Sequence, residues 1–127
     1  MTENEIGKAL IGCAMAVHTG LGPGLLESAY EGCLVHELTK ANLPFRRQVP
    51  LPVHYDGVTI DSGYRLDVLV DDRVVVEIKA VEKIVGLHRA QLLTYLKLGN
   101  FRLGYLLNFN TLRMRDGISR LVNGLDE

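Results

Sequence analysis

Charged residues interrupt two otherwise apolar segments near the middle of the chain. Asp67 lies within YRLDVLV, and Glu77 and Lys79 lie within VVVEIKA. Two carboxylates held close together repel each other, and one of them keeps its proton unless a cation intervenes. A hard divalent cation such as Mg²⁺ takes oxygen ligands, keeps several waters and polarises a phosphoryl oxygen. A nearby lysine can orient a water or stabilise charge on a phosphate, so these residues favour chemistry at a phosphate.

The loop between the two segments decides whether these charges meet. Side chains two apart in a strand share a face, so Glu77 and Lys79 point the same way. A three-residue loop at 71–73 places Asp67 opposite Glu77, whereas a two-residue loop places them on opposite faces. The three-residue register is favoured because it leaves the other face wholly apolar, with Leu66, Val68, Val70, Val74, Val76 and Ile78.

An ion-pair network is the alternative explanation of the same residues. Asp67 with Lys79, or Glu77 with Arg65, would form a cross-strand salt bridge on a solvated face. The spacing by itself leaves both explanations open, because short patterns of this kind occur in many β-rich proteins.

Two predicted helices carry further polar residues on shared faces. Glu27 and Tyr30 lie near the start of one helix, where a carboxylate complements the helix dipole and a tyrosine ring often packs in the core. Gln91 and Tyr95 are four residues apart on another helix, with His88 about one turn earlier. Gln91 interrupts an apolar helix, so it either faces solvent or bonds a specific partner.

Periodicity predicts the elements that must position these residues. Apolar residues at helical spacing predict helices over 4–18, 24–41 and 86–98. Residues 111–125 are expected to include a C-terminal helix around Ile118, Leu121 and Val122. The predicted strands are an edge or irregular strand marked by Pro50 and Pro52, a short segment at 58–60, the hairpin strands 64–70 and 74–80, and a buried central strand over 101–109.

The order of these elements, α-α-β-β-β-α-β followed by a tail, predicts the fold class. Antiparallel strands followed by a helical crossover into another strand indicate an α/β fold with a mixed sheet flanked by helices. The GLGPG loop (20–24) lacks the Gly-Lys-Ser/Thr ending of a phosphate-binding loop and follows no strand. We expect it to form a sharp turn that presents Glu27 at a helix N-terminus.

Composition narrows the class of protein. The chain has 127 residues, 47% of them hydrophobic and 23% charged, which predicts one globular domain over 1–127 and excludes a disordered chain. Cys13 and Cys33 form no CxxC pair, so we expect neither a disulfide framework nor a four-ligand zinc site. We expect a location in the reducing cytoplasm. Two acids within the first five residues and the lack of an apolar run predict no signal peptide and no membrane span.

The net charge of −1 hides an uneven distribution. Residues 1–44 carry a net charge of −3, whereas residues 88–120 carry +5. A basic segment beside the carboxylates would supply phosphate contacts, so we expect nucleic acid, DNA or RNA, as the partner. A homodimer would supply two sites for the two strands of a duplex. The bases of this segment are Arg89, Lys97, Arg102, Arg113, Arg115 and Arg120.

Four motifs in order resemble one protein family. GPGLLESAYE contains the signature of the GxxExxY proteins. Asp67, then Glu77-Ile78-Lys79, then Gln91-Leu92-Leu93-Thr94-Tyr95 resemble the PD-(D/E)xK nuclease core in its form with a helical Gln-xxx-Tyr element. The likeness covers about residues 5–122. One departure is Leu66, which stands where that core often has proline before the first acidic residue.

The resemblance implies a restriction-endonuclease-like fold and a Mg²⁺-dependent nuclease, with Mn²⁺ as a substitute ion. A non-catalytic module of the same fold, which binds nucleic acid or a protein, is the alternative function. The implied metal ligands are Asp67, Glu77, the Ile78 backbone carbonyl and Glu27, and the implied catalytic residues are Lys79, Glu27, Gln91 and Tyr95. We add Arg65, Tyr30, His88 and Arg89 as predicted substrate-binding residues.

Overall fold

The computed structural model describes residues 1–126, in which a mixed β-sheet carries helices on both faces, and Glu127 lies outside the described residues. The predicted fold class, a mixed sheet flanked by helices, is confirmed. In chain order the elements are α1 (Glu3–Leu21), α2 (Glu27–Lys40), β1 (Phe45–Pro50), β2 (Val53–Tyr55), β3 (Val58–Ile60), β4 (Arg65–Val70), β5 (Val74–Lys79), α3 (Gly86–Gly99), β6 (Leu103–Asn108), a 3-10 helix (Met114–Gly117) and β7 (Ile118–Val122).

The main sheet has the strand order β1-β4-β5-β6-β7. Only β5 and β6 are parallel among these neighbours, and α3 supplies the crossover that a parallel pair requires. β1 is an edge strand, as Pro50 predicts, because proline has no backbone N–H to donate to a neighbouring strand. β2 and β3 form a separate hairpin, whose Asp56-Gly57 turn has positive φ at both residues, as a type I′ turn requires.

Two hydrophobic clusters cover the two faces of the sheet. One packs α1 and α2 against alternate residues of β4, β5 and β6, and the other packs α3 against the opposite face. All six residues of β6 are buried, which confirms the predicted central strand. The predicted position of Leu66 on the face of Val68 is wrong. Leu66 packs with Leu51 and Leu69 on the α3 side, because the regular pairing of β4 with β5 ends at Val68 and strict alternation is lost there.

The predicted C-terminal helix around Ile118, Leu121 and Val122 is wrong. These residues form β7, which pairs antiparallel with β6 from Leu103↔Val122 to Leu107↔Ile118. Without β7, the outer edge of the buried strand β6 would present unpaired N–H and C=O groups, so tertiary pairing overrides the weak helical periodicity of this segment.

The first two helices differ from the prediction at their ends. Thr2 caps α1 through a reciprocal pair of hydrogen bonds with Glu5, and the helix continues to Leu21. Gly24 has a φ of 105°, which is not helical, and α2 begins at Glu27 rather than at residue 24. Within residues 1–126, the helices are too short or too polar to cross a membrane.

Candidate active site

Asp67 and Glu77 lie side by side where β4 and β5 diverge. The hairpin has the predicted three-residue loop, with Val70↔Val74 and Val68↔Val76 as partners. Beyond these pairs, the side-chain carboxylates replace backbone carbonyls as hydrogen-bond acceptors between the two strands. The Asp67 N–H donates to Glu77 Oε1 at 3.3 Å, and the Ile78 N–H donates to Asp67 Oδ2 at 2.8 Å. Each carboxylate is therefore fixed by the backbone of the opposite strand.

Both carboxyl groups are held in surroundings that disfavour their charged forms. Glu77 is only 7% exposed, and its burial, reinforced by the negative charge of Asp67, raises its pKa from 4.5 to about 8. Burial also raises the pKa of Asp67, opposed in part by the hydrogen bond from the Ile78 N–H. The pair thus retains a proton near neutral pH when no cation lies between its members.

The described residues do not form the ion pairs of the alternative explanation, Asp67 with Lys79 or Glu77 with Arg65. Among residues 1–126, neither Asp67 nor Glu77 forms a salt bridge; the ion pairs are Lys40–Glu37, Arg46–Asp72 and Arg47–Glu31. Lys79 is half-buried at the end of β5, and without forming a direct pair its charge offsets part of the rise in the pKa of both carboxyl groups. The position of Lys79 leaves its ammonium group available to another anion.

The donor set of the pair suits a hard divalent cation. Two carboxylates supply oxygen ligands, and a cation would relieve the repulsion that protonates Glu77. The N–H and C=O of one strand residue point to the same side, so the Ile78 carbonyl faces the side on which Asp67 lies. No group of three or more His, Cys, Asp or Glu residues in positions 1–126 is close enough to hold a metal ion.

Glu27 occupies the predicted position but stands apart from the pair. It is the first residue of α2 and is exposed, and its negative charge contributes to the raised pKa of Asp67. Within residues 1–126, Glu27 forms no group of three metal-binding side chains with the pair. Its role as a metal ligand stays a prediction.

Tyr30 belongs to the core, and its predicted role in substrate binding is wrong. Its side chain has 0% exposure, and its ring stacks on Phe109 with a centroid distance of 4.5 Å and an interplanar angle of 8°. The hydroxyl donates to the Gly22 carbonyl at 2.6 Å and accepts from the Leu25 N–H at 3.1 Å. Tyr30 thus fixes the turn that precedes Glu27 and has no surface left for a substrate.

The Gln-xxx-Tyr residues of α3 form one hydrogen-bonded unit. Gln91 Nε2 donates to Tyr95 Oη at 2.9 Å, and the Gln91 side chain is also exposed. Both predicted alternatives for Gln91, exposure to solvent and a bond to a specific partner, therefore hold. Tyr95 is 6% exposed, and burial, followed by the charge of Glu77, raises the pKa of its hydroxyl. His88 Nδ1 accepts from the Val85 N–H at 3.1 Å, which satisfies one free donor at the start of α3.

The sequence comparison supplies an independent observation on this site. The model of the PD-(D/E)XK nuclease superfamily matches residues 4–121, nearly the whole chain. The chain belongs to the PD-(D/E)XK nuclease superfamily. Its mixed five-stranded sheet and three flanking helices are consistent with a restriction-endonuclease-like fold. No curated protein and no solved structure matches the chain.

The sequence did not single out a buried acidic residue beside the superfamily's carboxylate pair. Glu31 of α2 is 8% exposed and accepts from Arg47 Nε at 3.0 Å, Arg47 Nη2 at 2.9 Å and Gln48 Nε2 at 2.7 Å. Gln48 lies in the edge strand β1, between Arg47, which pairs with Val68, and Val49, which pairs with Leu66. It is therefore level with Asp67 of β4, and it has a positive φ of 50°. The available signal was that Glu31 lies at helical spacing before Leu34, Val35 and Leu38, the apolar face of α2.

Asn108 is a second residue that the sequence did not single out. It is 2% exposed at the end of β6, where it pairs with Lys79 in the parallel ladder. Its amide donates to the Val81 carbonyl at 3.0 Å, and its Oδ1 accepts from the Val81 N–H at 3.1 Å. Asn108 therefore holds the chain that leaves β5 immediately after the superfamily's lysine position.

The predicted basic segment is divided between the two ends of the sheet. Lys79 pairs with Asn108, so the site lies at the carboxyl end of β6, and Arg113 comes after this end in the chain. Arg89 is exposed and lies near the start of α3. Lys97 and Arg102 lie near the opposite end, before β6 begins. Arg65, at the start of β4, is exposed. Phosphate contact by Arg65, Arg89 or His88 stays a prediction.

Proposed function

We propose that this chain is a Mg²⁺-dependent phosphodiesterase that hydrolyses nucleic-acid backbones, with Mn²⁺ as a substitute ion. The observation that carries the proposal is the fixed pair of half-buried Asp67 and buried Glu77, which forms no salt bridge within residues 1–126. Lys79 follows on the same strand, in a chain that belongs to a nuclease superfamily.

Asp67, Glu77 and the Ile78 carbonyl would hold the ion, with Glu27 as a further ligand. When bound, Mg²⁺ supplies a Lewis acid for a phosphoryl oxygen and lowers the pKa of a bound water. The backbone N–H groups of Asp67 and Ile78 keep the carboxylates oriented, so little reorganisation is needed when substrate arrives.

Lys79 would orient the attacking water or stabilise the charge that develops on the phosphate. The link between Val81 and Asn108 holds the chain just beyond Lys79, so the ammonium stays near the carboxylates. Gln91 and Tyr95 would line the site from α3, since Tyr95 is close enough to Glu77 for the carboxylate to raise its pKa.

Finer assignments form part of the same proposal. We place the chain among the GxxExxY proteins because of GPGLLESAYE, and in the cytoplasm because Cys13 and Cys33 are both free. We treat the chain as one domain, and as a homodimer if it cuts both strands of a duplex. Nucleic acid is the proposed partner, with Arg65, Arg89 and His88 as its contacts.

A non-catalytic binding module of the same fold is the second candidate function. The observation that favours it is that the carboxylates of residues 1–126 form no cluster of three at the site. Such a module would bind nucleic acid or a protein without cleaving a phosphodiester bond.

Cleavage of labelled single-stranded and duplex DNA and RNA, with Mg²⁺ or Mn²⁺, distinguishes the two functions. We expect metal-dependent cleavage that falls about 10²- to 10³-fold in Lys79→Ala, the range for removal of one group that stabilises transition-state charge. Lys83→Ala, an exposed lysine of the following loop, is the matched control and should cleave normally. Binding without cleavage by folded protein favours the module; equal cleavage by wild type and Lys79→Ala contradicts the proposed mechanism.

A further inference from the structure

A groove that includes Gln91 and Tyr95 extends the proposed site, and its other lining residues have no part in the proposed cleavage step. It lies between α3, the first residue of β2 and Tyr64, and it has a volume of ≈ 340 Å³. This volume is in the range of sites that take a small organic group. We call it the tyrosine groove, after its residues Tyr64, Tyr95, Gln91, Val53, Leu87 and Leu98.

Two aromatic rings form one wall of the tyrosine groove. Tyr64 and Tyr95 lie with ring centroids 5.8 Å apart and ring planes inclined by 45°. Tyr95 is buried, whereas Tyr64 is 49% exposed and offers a ring surface to solvent. The Leu51 N–H donates to the Tyr64 carbonyl at 2.9 Å, and Ser62 donates to the Leu51 carbonyl at 3.3 Å, so the chain that carries Tyr64 is fixed.

Tyr95 links the tyrosine groove to the candidate active site, since it lines the groove and lies close enough to Glu77 for that carboxylate to help raise the pKa of its hydroxyl. This residue lines the groove and belongs to the hydrophobic cluster that contains Val75, which lies two residues before Glu77 on the same face of β5. A polymer whose phosphate reaches the carboxylates would therefore place its neighbouring chemical groups in or near the groove.

The chemistry of the lining favours one class of occupant. Within residues 1–126, no charged side chain lines the groove, so it does not suit a phosphate, but a flat neutral ring can stack on Tyr64. The Gln91 amide, held by Tyr95 Oη at 2.9 Å, supplies polar atoms at the edge of such a ring. These are the features of a site for an unpaired nucleobase.

We propose that the tyrosine groove binds one unpaired base of the strand that is cleaved, stacked on Tyr64. This inference rests on the proposed function, and it specifies a substrate class. A base inside a continuous duplex cannot enter the groove without leaving its stack, so single strands, overhangs and frayed ends are preferred over a closed duplex.

Fluorescence-anisotropy binding of a single-stranded oligothymidylate tests the proposal in the Lys79→Ala background without divalent cations, in which cleavage is slow enough for binding to be measured. Tyr64→Ala should weaken binding about 5- to 150-fold, the range for loss of one stacked base. Tyr64→Phe keeps the ring and should bind within about twofold of the parent. Tyr55→Ala is the matched control, because Tyr55 is a 70% exposed tyrosine of β2 outside the groove.

A strand of abasic nucleotides separates stacking from other effects of the substitution. Tyr64→Ala should not weaken binding of this strand, because it has no base to stack. Equal binding of oligothymidylate by the parent and Tyr64→Ala, or an equal loss with Tyr55→Ala or with the abasic strand, overturns the proposal. Dissociation of a dimer by Tyr64→Ala, with unchanged oligothymidylate binding, assigns the groove to a second copy and also overturns it.

The two proposals fail in different ways. If the wild-type chain cleaves nucleic acid but Tyr64→Ala binds like its parent, the base site is wrong and the phosphodiesterase stands. If Tyr64 governs binding but no substrate is cleaved with either metal, the base site stands and the binding module replaces the enzyme.

Discussion

The backbone N–H of Asp67 donates to Glu77 Oε1 at 3.3 Å, and this bond ties the two carboxyl groups together where β4 and β5 diverge. The Ile78 N–H returns a bond to Asp67 Oδ2 at 2.8 Å. The carboxylates thus occupy positions that ladder carbonyls would otherwise fill. These two backbone bonds hold the carboxyl groups side by side, with Glu77 buried and Asp67 half-buried.

The raised pKa of Glu77 predicts a pH-dependent stability. The folded chain keeps this proton up to about pH 8, whereas the unfolded chain loses it near 4.5, so the folded state binds more protons between these values. The free energy of unfolding should therefore fall as pH rises through this window, by at most about 1.4 kcal/mol per pH unit from this group. Urea denaturation at several pH values, without divalent cations, measures the slope.

Glu77→Gln isolates the contribution of this proton. The variant should show a flatter dependence on pH across the same window, because glutamine does not titrate. Glu82→Gln, at an exposed position of the next loop, should keep the wild-type slope. Identical slopes for wild type and Glu77→Gln would show that Glu77 is not protonated in the folded chain.

Removal of the Tyr30 hydroxyl should destabilise the fold. Tyr30→Phe keeps the stack on Phe109 but leaves the Gly22 carbonyl and the Leu25 N–H without their partner. We expect the free energy of unfolding to fall by about 1–3 kcal/mol. Tyr55→Phe, at an exposed tyrosine, should change it by less than about 0.5 kcal/mol. Equal stability of Tyr30→Phe and wild type would contradict the structural role.

Glu31 and Glu37 form a matched pair of glutamates on α2. Glu31 is buried under Arg47 and Gln48, whereas Glu37 pairs at 3.0 Å with a lysine whose side chain is 63% exposed. Glu31→Gln should lower the free energy of unfolding by about 1–3 kcal/mol, since charged hydrogen bonds are lost in a buried place. Glu37→Gln should cost less than about 1 kcal/mol. Denaturant titration of both variants checks the difference, which a similar loss in the two would refute.

The carboxylate pair could be predicted because its signal is local. An odd loop length and an apolar opposite face predict Asp67 opposite Glu77, which agrees with the Val68↔Val76 register and with the bond from the Asp67 N–H to Glu77, although Leu66 leaves that face. The apolar pattern of residues 101–109 likewise predicted the buried central strand. Regular periodicity and short sequence separation are sufficient for such features.

Features that depend on distant partners could not be predicted. The sequence gives no sign that the ring of Tyr30 stacks on Phe109, so a core tyrosine and a substrate-binding tyrosine look alike. β7 forms because β6 has an edge to satisfy, which the pattern of residues 118–122 does not reveal. The bonds of Glu31 to Arg47 depend on the packing of α2 against the edge strand.

Calorimetric titration of the metal-free chain with Mn²⁺, near pH 8, tests the central claim that Asp67 and Glu77 form a metal site. We predict saturable binding by wild type and by the control Glu82→Gln, and binding at least about tenfold weaker in Glu77→Gln, which keeps the shape but loses a charged ligand. No Mn²⁺ binding by the folded wild-type chain, or equal affinity in wild type and Glu77→Gln, would contradict the claim.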